Sequence, residues 1–445
     1  MKGDVARPKL AAGFLAGATS RLLPASIPLR YFGAAAFFHL AAWVALAAGA
    51  ASAARFAGGL GWPLAALHLV TLGVLAMTAI GASLQLMPVA TRQPVHSTRL
   101  PAAIWWVYTA GVAGTTLGMG TGQAALLGAG AAAAIAGLLG YAGLTARNLV
   151  GARGMAGIVA HGWIALASLV IVVVSAASLA FAYLGWPLFD RGTALALHVP
   201  FAAYGFMGML ALGLAYILVP MFALSPAPDE KRVRLSAALA ALSLALVLAA
   251  AAGSGAWVLP LRVVALAAAG VAVALHLGLV LQALRTGMRR ELGRSFRLVR
   301  TAWALLVASL ALALAVVVAP DVPMLATLFG VVLVPGWLLT LVLGMMQRIV
   351  PFLASMHKPP GTKLPRTPSS LTADRPLAVH YACHLCALAL LVAAAIADSH
   401  WLVLAAALVG SVGAVAFLAF FVILVRRMRA PPAPRTGARP PAPVA

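Results

Sequence analysis

Long apolar segments recur along the whole chain and are separated by short polar connections. About 20 consecutive apolar residues in a helix cross a bilayer core, whereas a membrane β-barrel has alternating segments of about ten. The pattern therefore predicts an all-α, polytopic membrane protein with twelve transmembrane helices. Their approximate ranges are 29–51, 62–89, 101–119, 122–146, 154–185, 192–222, 233–252, 256–284, 298–319, 324–351, 376–397 and 402–425.

Composition supports this fold class. Of the 445 residues, 63% are hydrophobic and only 9% are charged, whereas a soluble domain has about 25% charged residues. We expect a cytoplasmic tail at 1–28, the membrane domain at 29–425, and a disordered Pro/Arg-rich tail at 426–445. Residues 1–28 lack the compact apolar core and small-residue cleavage site of a signal peptide.

The formal net charge of +23 is distributed asymmetrically. Twenty-eight of the 31 Lys and Arg residues fall in the tails and connections of one side, and only Arg55, Arg191 and Arg262 fall on the other. We call these sides the basic face and the Arg-poor face. The positive-inside rule then predicts a bacterial-type inner membrane protein with both termini in the cytoplasm. The basic charge thus indicates topology and contact with lipid, and we expect no nucleic-acid partner.

One spacing recurs three times. A glycine, a second glycine eight residues later and a proline seven residues after that occur in spans 2, 6 and 10. The prolines are 132 and 131 residues apart, which predicts three four-helix units around a common axis. The three sets are Gly73, Gly81 and Pro88; Gly205, Gly213 and Pro220; and Gly336, Gly344 and Pro351.

The small residues can serve two purposes. Glycines let helices approach closely, or they leave room for a rigid flat group such as a porphyrin. On a regular α-helix, the eight-residue separation places the two glycines about 80° apart, with the proline about 20° from the second. We expect each proline to stop or kink its helix at the basic face.

The grouping of twelve spans into three sets of four, and the amino-acid sequences of these segments, resemble subunit I of the haem-copper oxidases over roughly residues 29–425. They also resemble a group of divergent bacterial relatives and, distantly, the NnrS family of haem- and copper-binding membrane proteins. In the oxidases, helices 2, 6 and 10 line the pores that hold haem and copper. The segments that carry the resemblance read HLVTLGVLAMTAIGASLQLMPV, LHVPFAAYGFMGMLALGLAYILVPMF and GMMQRIVPFLASMH.

The chain also departs from the oxidase pattern. Span 10 has no histidine, span 7 has no copper ligand, and no Asp or Glu lies within a predicted span. The chain is therefore not expected to be a proton-pumping oxygen reductase. The resemblance implies instead a b-type haem, with copper as a further candidate cofactor.

Histidines within apolar spans are the main candidates for binding a cofactor. The resemblance places His68 at a haem-ligand position and His198 at a copper-ligand position, and neutral imidazole suits both metals. The alternative for each is a buried histidine bonded to a neighbouring helix. For a second axial ligand to a haem at His68 we consider His384, His161 or a methionine; without one, the iron stays five-coordinate and can bind a diatomic gas.

Span 11 begins with the string HYACHLC, which places His380 and His384 on one helix face together with Cys383. These residues indicate a soft-metal site, or a haem ligand, or simply buried thiols, with Cys386 further round the helix. The string is not a c-type haem attachment motif. His39, His161 and His276 suit hydrogen bonding within the protein, although His161 remains a ligand candidate.

Arg262, just inside span 8, is a candidate partner for haem propionates, or else extends to the outer interface. Three function classes follow. The first is a haem-binding, and also copper-binding, membrane protein with a redox, gas-sensing, nitric-oxide or metal-stress role, with a redox partner or a diatomic gas as ligand. The others are a transporter for a small solute or metal, and a cofactor-free assembly subunit. The sequence does not decide whether the protein is an enzyme.

Overall fold

The computed structural model describes residues 21–56, 58–95, 97–356 and 367–430. The predicted terminal tails lie largely outside these ranges. Each of the twelve predicted segments coincides with a helix, with ends that differ by at most five residues. The helices are α1 (Ser26–Ala48), α2 (Trp62–Thr91), α3 (Arg99–Thr121), α4 (Ala124–Val150), α5 (Ala156–Phe181), α6 (Arg191–Ala223), α7 (Glu230–Ala252), α8 (Val258–Thr286), α9 (Gly293–Val318), α10 (Pro323–Ser355), α11 (Asp374–Ala397) and α12 (His400–Arg429).

Eleven of these helices in the described ranges are long and apolar enough to cross a membrane. The exception is α3, which has 23 residues but includes four threonines and four glycines. Its length suits a span, but its sequence alone is less apolar than the others. The all-helical membrane fold is therefore confirmed, and the count of twelve spans stays a prediction.

Three consecutive helix pairs, α3 with α4, α7 with α8, and α11 with α12, have the most extensive contacts in the described structure. Further contacts join α4 to α5, α8 to α9, and α12 to α1. Helices α2, α6 and α10 contact one another between these pairs and are the most buried of the eleven candidate spans. They are the three helices that bear the repeated glycine and proline spacing.

Each of these three central helices contains an eight-residue π-helical segment: Leu69–Ala76, Phe201–Gly208 and Val332–Leu339. In all three, the segment begins four residues before the first repeated glycine and ends three residues after it. π-helical turns are rare and occur mostly at functional sites. Each helix ends three or four residues after its repeated proline, as predicted.

The repeated glycines pack against the preceding helix, which favours helix packing over room for a porphyrin among the two purposes considered from the sequence. A Cβ atom on Gly73 would lie 2.7 Å from Phe38 on α1, and one on Gly81 would lie 2.8 Å from Tyr31 on the same helix. The other two central helices do the same: the glycines of α6 contact α5 and those of α10 contact α9.

The π segment explains why both glycines face one neighbour. A π-helical turn contains more residues than an α-helical turn. If one extra residue is accommodated in this way, the eight-residue separation gives the same rotation about the helix axis as seven residues of a regular α-helix. The two glycines are then about 20° apart rather than 80°. The sequence-based estimate assumed a regular α-helix throughout. The close approach that the small residues permit is therefore used for helix packing.

Candidate functional site

Two of the predicted ligands, His68 and His198, face each other across α2 and α6. Their ring centroids are 6.4 Å apart and their planes are inclined by 27°. His68 immediately precedes the π segment of α2, and His198 lies three residues before that of α6. Both side chains are half-buried near the helix ends at the Arg-poor face. The structure thus brings together, from different helices, the two histidines that the resemblance places at ligand positions.

Hydrogen bonds fix the tautomer of both rings. His68 Nδ1 lies 3.0 Å from the Leu64 carbonyl oxygen, which can only accept. His198 Nδ1 lies 3.4 Å from Ser175 Oγ, whose own proton goes to the Ile171 carbonyl at 2.8 Å. Both Nδ1 atoms are therefore the protonated ones, and both Nε2 atoms carry lone pairs. A histidine that binds a metal is oriented in this way by a partner of its other nitrogen.

A second group, which we call the three-imidazole cluster, consists of His39 on α1 and His380 and His384 on α11. All three are at least 97% buried. The ring centroids of His39 and His380 are 5.8 Å apart, and those of His380 and His384 are 5.7 Å apart with planes inclined by 29°. The predicted pairing of His380 and His384 on one face is confirmed, and His39 joins them from a distant part of the sequence.

Two members of the cluster, His39 and His380, have the same tautomer, with the proton on Nδ1. The Trp43 indole, which can only donate, donates to His39 Nε2 at 3.1 Å, so the proton of His39 is on Nδ1. His380 Nδ1 donates to the Gly413 carbonyl of α12 at 3.1 Å. Its Nε2 atom therefore carries a lone pair.

The third ring is fixed through α10. Thr340 Oγ1 donates to the Pro335 carbonyl at 2.9 Å, and it then accepts from His384 Nε2 at 2.7 Å. The Nδ1 atom of His384 is left as a lone pair. Three buried ring nitrogens of the cluster have no hydrogen-bond partner: His39 Nδ1, His380 Nε2 and His384 Nδ1. The cluster therefore presents one N–H group and two lone pairs inside the membrane domain.

His161 lies in a third group, away from both of the others. It donates from Nδ1 to the Gly157 carbonyl at 2.7 Å, and its ring centroid is 5.5 Å from that of Tyr216. His276 Nδ1 lies 2.9 Å from the Tyr216 hydroxyl, which bonds Ser236 on α7 at 3.4 Å. The sequence missed Tyr216, because a tyrosine in an apolar span does not stand out from core residues.

The second axial ligands considered from the sequence are thus not beside His68. His384 lies in the three-imidazole cluster and His161 lies next to Tyr216. The imidazole beside His68 is instead that of His198. The reason is the arrangement of the helices, since α2 and α6 meet at the centre of the fold.

The three arginines of the Arg-poor face have different surroundings. Arg262 is exposed on α8, a helix whose main contacts are with α7, α9 and the carboxyl-terminal part of α6. Arg55 forms an ion pair with Asp398, and this hydrogen bond lowers the pKa of the Asp398 carboxyl below its ordinary value. Arg191 begins α6, the helix that carries His198.

The cysteines do not complete a metal site. Cys383 packs against Gly413 of α12, and Cys386 is exposed on the outside of α11. Within the described ranges, no three His, Cys, Asp or Glu side chains form a group that could hold a metal ion.

The fold is similar to that of a haem-copper terminal oxidase dimer solved by cryo-electron microscopy. The TM-score is 0.61, the sequence identity is 12%, and the alignment covers 93% of this chain and 86% of that chain. The sequence matches no protein-family model and no curated protein. The resemblance to the NnrS group stays a prediction. The oxidase-like fold expected from the sequence is confirmed: this chain is a multi-pass membrane protein with a haem-copper-oxidase-like fold.

Proposed function

We propose that the protein is a membrane-embedded haem protein in which His68 and His198 would together hold the iron of one haem. The observation that carries the proposal is the separation of their rings. Two imidazoles on opposite sides of a metal have centroids about 6.3 Å apart when each metal–nitrogen bond is ~2.0 Å. The observed separation is 6.4 Å, and both Nε2 atoms have their lone pairs available.

The charge of the membrane domain supports a haem more than a bare divalent ion. Every acidic residue of the chain lies in a tail, in a connection or at the first position of a helix. A divalent ion held by two neutral imidazoles would keep its full charge in a medium of low dielectric constant, which is costly. A haem core carries a single positive charge in the ferric state and none in the ferrous state.

A haem held by both imidazoles would favour electron transfer. When bound, the haem supplies one-electron redox chemistry. The chain's own residues hold the two imidazoles in one tautomer, through the Leu64 carbonyl and Ser175. If both histidines held the iron, a diatomic gas would find no open site, so we favour a redox partner over gas sensing.

Arg191 is a better candidate than Arg262 for pairing with a propionate. It precedes His198 by seven residues, which is two helical turns, so both lie within about 20° on α6 and about 10 Å apart along its axis. Arg262 is on α8, which contacts the carboxyl-terminal part of α6. His198 is in the amino-terminal part of α6. We therefore propose Arg191, with Arg262 as a residue of the outer interface.

The visible spectrum of the purified full-length protein tests the proposal. Protein made in haem-replete cells is expected to show a Soret band with about one haem per chain. Its electron paramagnetic resonance spectrum should be that of a low-spin ferric haem with two imidazole ligands. Colourless, monodisperse protein that also fails to bind added haemin would contradict the proposal and leave the transporter and assembly alternatives.

We propose further that the chain crosses the membrane twelve times, as three four-helix units. The equivalent π segments of α2, α6 and α10 and the equivalent tight pairs of helices support this organisation. In this arrangement the tails 1–28 and 426–445 flank one membrane domain. Helix α3 then crosses the membrane in addition to the eleven candidate spans, and its contacts with α4 stabilise it there.

Both termini are proposed to be cytoplasmic, in a bacterial-type inner membrane, because of the distribution of Lys and Arg. Reporter fusions joined after Arg30 and after Ala430 are expected to give cytoplasmic activity. A fusion joined after Leu188, at the Arg-poor face, serves as the control and should report the periplasm. Periplasmic activity at either of the first two positions would contradict the topology.

A further inference from the structure

The three-imidazole cluster is a second site, separate from His68 and His198. It lies among α1, α10, α11 and α12, whereas the proposed haem ligands are on α2 and α6. Its three unpartnered nitrogens are fully buried. In a membrane interior, buried polar groups without hydrogen-bond partners are strongly unfavourable, because no water is present to satisfy them. A bound species that satisfies them is therefore expected.

We propose that His380 and His384 bind one monovalent copper ion, Cu(I). The ligand atoms are His380 Nε2 and His384 Nδ1, the two lone pairs that the hydrogen-bond network leaves available. An ion ~2 Å from each nitrogen holds two imidazole centroids from about 5 Å apart in tetrahedral geometry to about 6.3 Å in linear geometry. The observed 5.7 Å lies between these limits, so the separation of the two rings is compatible with one ion bound to both.

The number of ligands and the surrounding charge select the metal. Zinc in a structural site takes four ligands, and no third His, Cys, Asp or Glu of the described residues completes a metal-binding group here. Copper(I) accepts two ligands, and imidazole suits it. Its single charge is also less costly than a double charge in a buried site without a carboxylate.

Three helices hold the two ligand rings in place. Gly413 on α12 accepts the Nδ1 proton of His380, and Thr340 on α10 accepts the Nε2 proton of His384. These are the outer hydrogen bonds that orient a metal-binding imidazole. His39 differs, because Trp43 keeps its proton on Nδ1, so it presents a donor and is assigned no bond to the ion.

The test is copper binding by the purified full-length protein, loaded with Cu(I) under ascorbate and then competed with bicinchoninate. Wild-type protein is expected to retain one copper per chain, with X-ray absorption that shows two nitrogen ligands from imidazole. His380→Ala and His384→Ala should each lose that equivalent, whereas His39→Gln and the exposed His400→Ala should retain it. Size-exclusion profiles show which variants are folded.

Two further measurements separate this site from the proposed haem. The double variant His68→Ala/His198→Ala should keep the copper, and His384→Ala should keep the Soret band of wild-type protein. Folded wild-type protein that retains no copper would overturn the proposal and leave a buried water as the partner of the three nitrogens. Full copper retention by folded His384→Ala would overturn it as well. Because the wild-type X-ray absorption does not depend on any variant, a folding defect cannot hide the result.

Discussion

Replacing His198 with alanine is expected to change the haem from six-coordinate low-spin to five-coordinate high-spin. The substitution removes one of the two proposed ligands, so His68 would remain as the single side-chain ligand. The Soret band should shift, and the reduced protein should gain the ability to bind carbon monoxide. The measurements are absorption and electron paramagnetic resonance of the purified variant. The exposed His400→Ala variant is the matched control and should have the wild-type spectrum.

His68→Ala should give the corresponding loss from the other side, and the double variant should lose the haem entirely. Ser175→Ala removes the side-chain acceptor of the His198 Nδ1 proton and leaves both imidazoles in place. Loss of such an outer partner commonly weakens metal binding by about 10- to 100-fold, so this variant should bind haem more weakly while keeping the low-spin spectrum. A double variant with an unchanged Soret band would show that the ligands lie elsewhere.

The sequence identified the two proposed ligands but not their pairing. His68 and His198 stand out because ionisable residues are rare in apolar spans, and this holds for each residue separately. Which of them face each other depends on how α2 and α6 meet, and no pattern within one helix contains that information. The oxidase resemblance also assigned His198 to copper, which directed the search for a second axial ligand to His384 and His161.

The helices were predictable because the bilayer imposes a length and a composition on each span. The glycine and proline spacing likewise predicted which three helices share a common role. The expected angle of about 80° between the two glycines of each helix was wrong, because it assumed a regular α-helix. The π segments follow from no recognised sequence signature, and they rotate Gly73 and Gly81 onto the face that packs against α1.

The three-imidazole cluster shows the same limit. His380 and His384 are four residues apart, so their shared face follows from helical periodicity. His39 lies more than 300 residues earlier in the chain and joins them because α1 packs on α12. The tautomers depend on Trp43, Gly413 and Thr340, and the partners of a ring nitrogen are visible only in three dimensions.

Replacing Gly130 with alanine is expected to produce the largest loss of stability among single glycine variants of the α3–α4 pair. A Cβ atom at Gly130 would lie 2.1 Å from the backbone nitrogen of Thr115 on α3. The obstacle is backbone, which cannot rotate away as a side chain can, so the two helices must separate. Overpacking of this kind costs about 1–3 kcal/mol or more, which exceeds the gain of up to about 1 kcal/mol from alanine's higher helix propensity.

Gly143→Ala, on the same helix, is the matched control for this prediction. Its position is exposed, and a Cβ atom there would have no neighbour within 4 Å. Thermal unfolding of the two variants in the same detergent should therefore give a lower midpoint for Gly130→Ala and an unchanged or higher midpoint for Gly143→Ala. Because α3 is less apolar than the eleven candidate spans, the proposal that it also crosses the membrane relies on its close contact with α4. Equal midpoints for the two variants would mean that this contact does not stabilise α3.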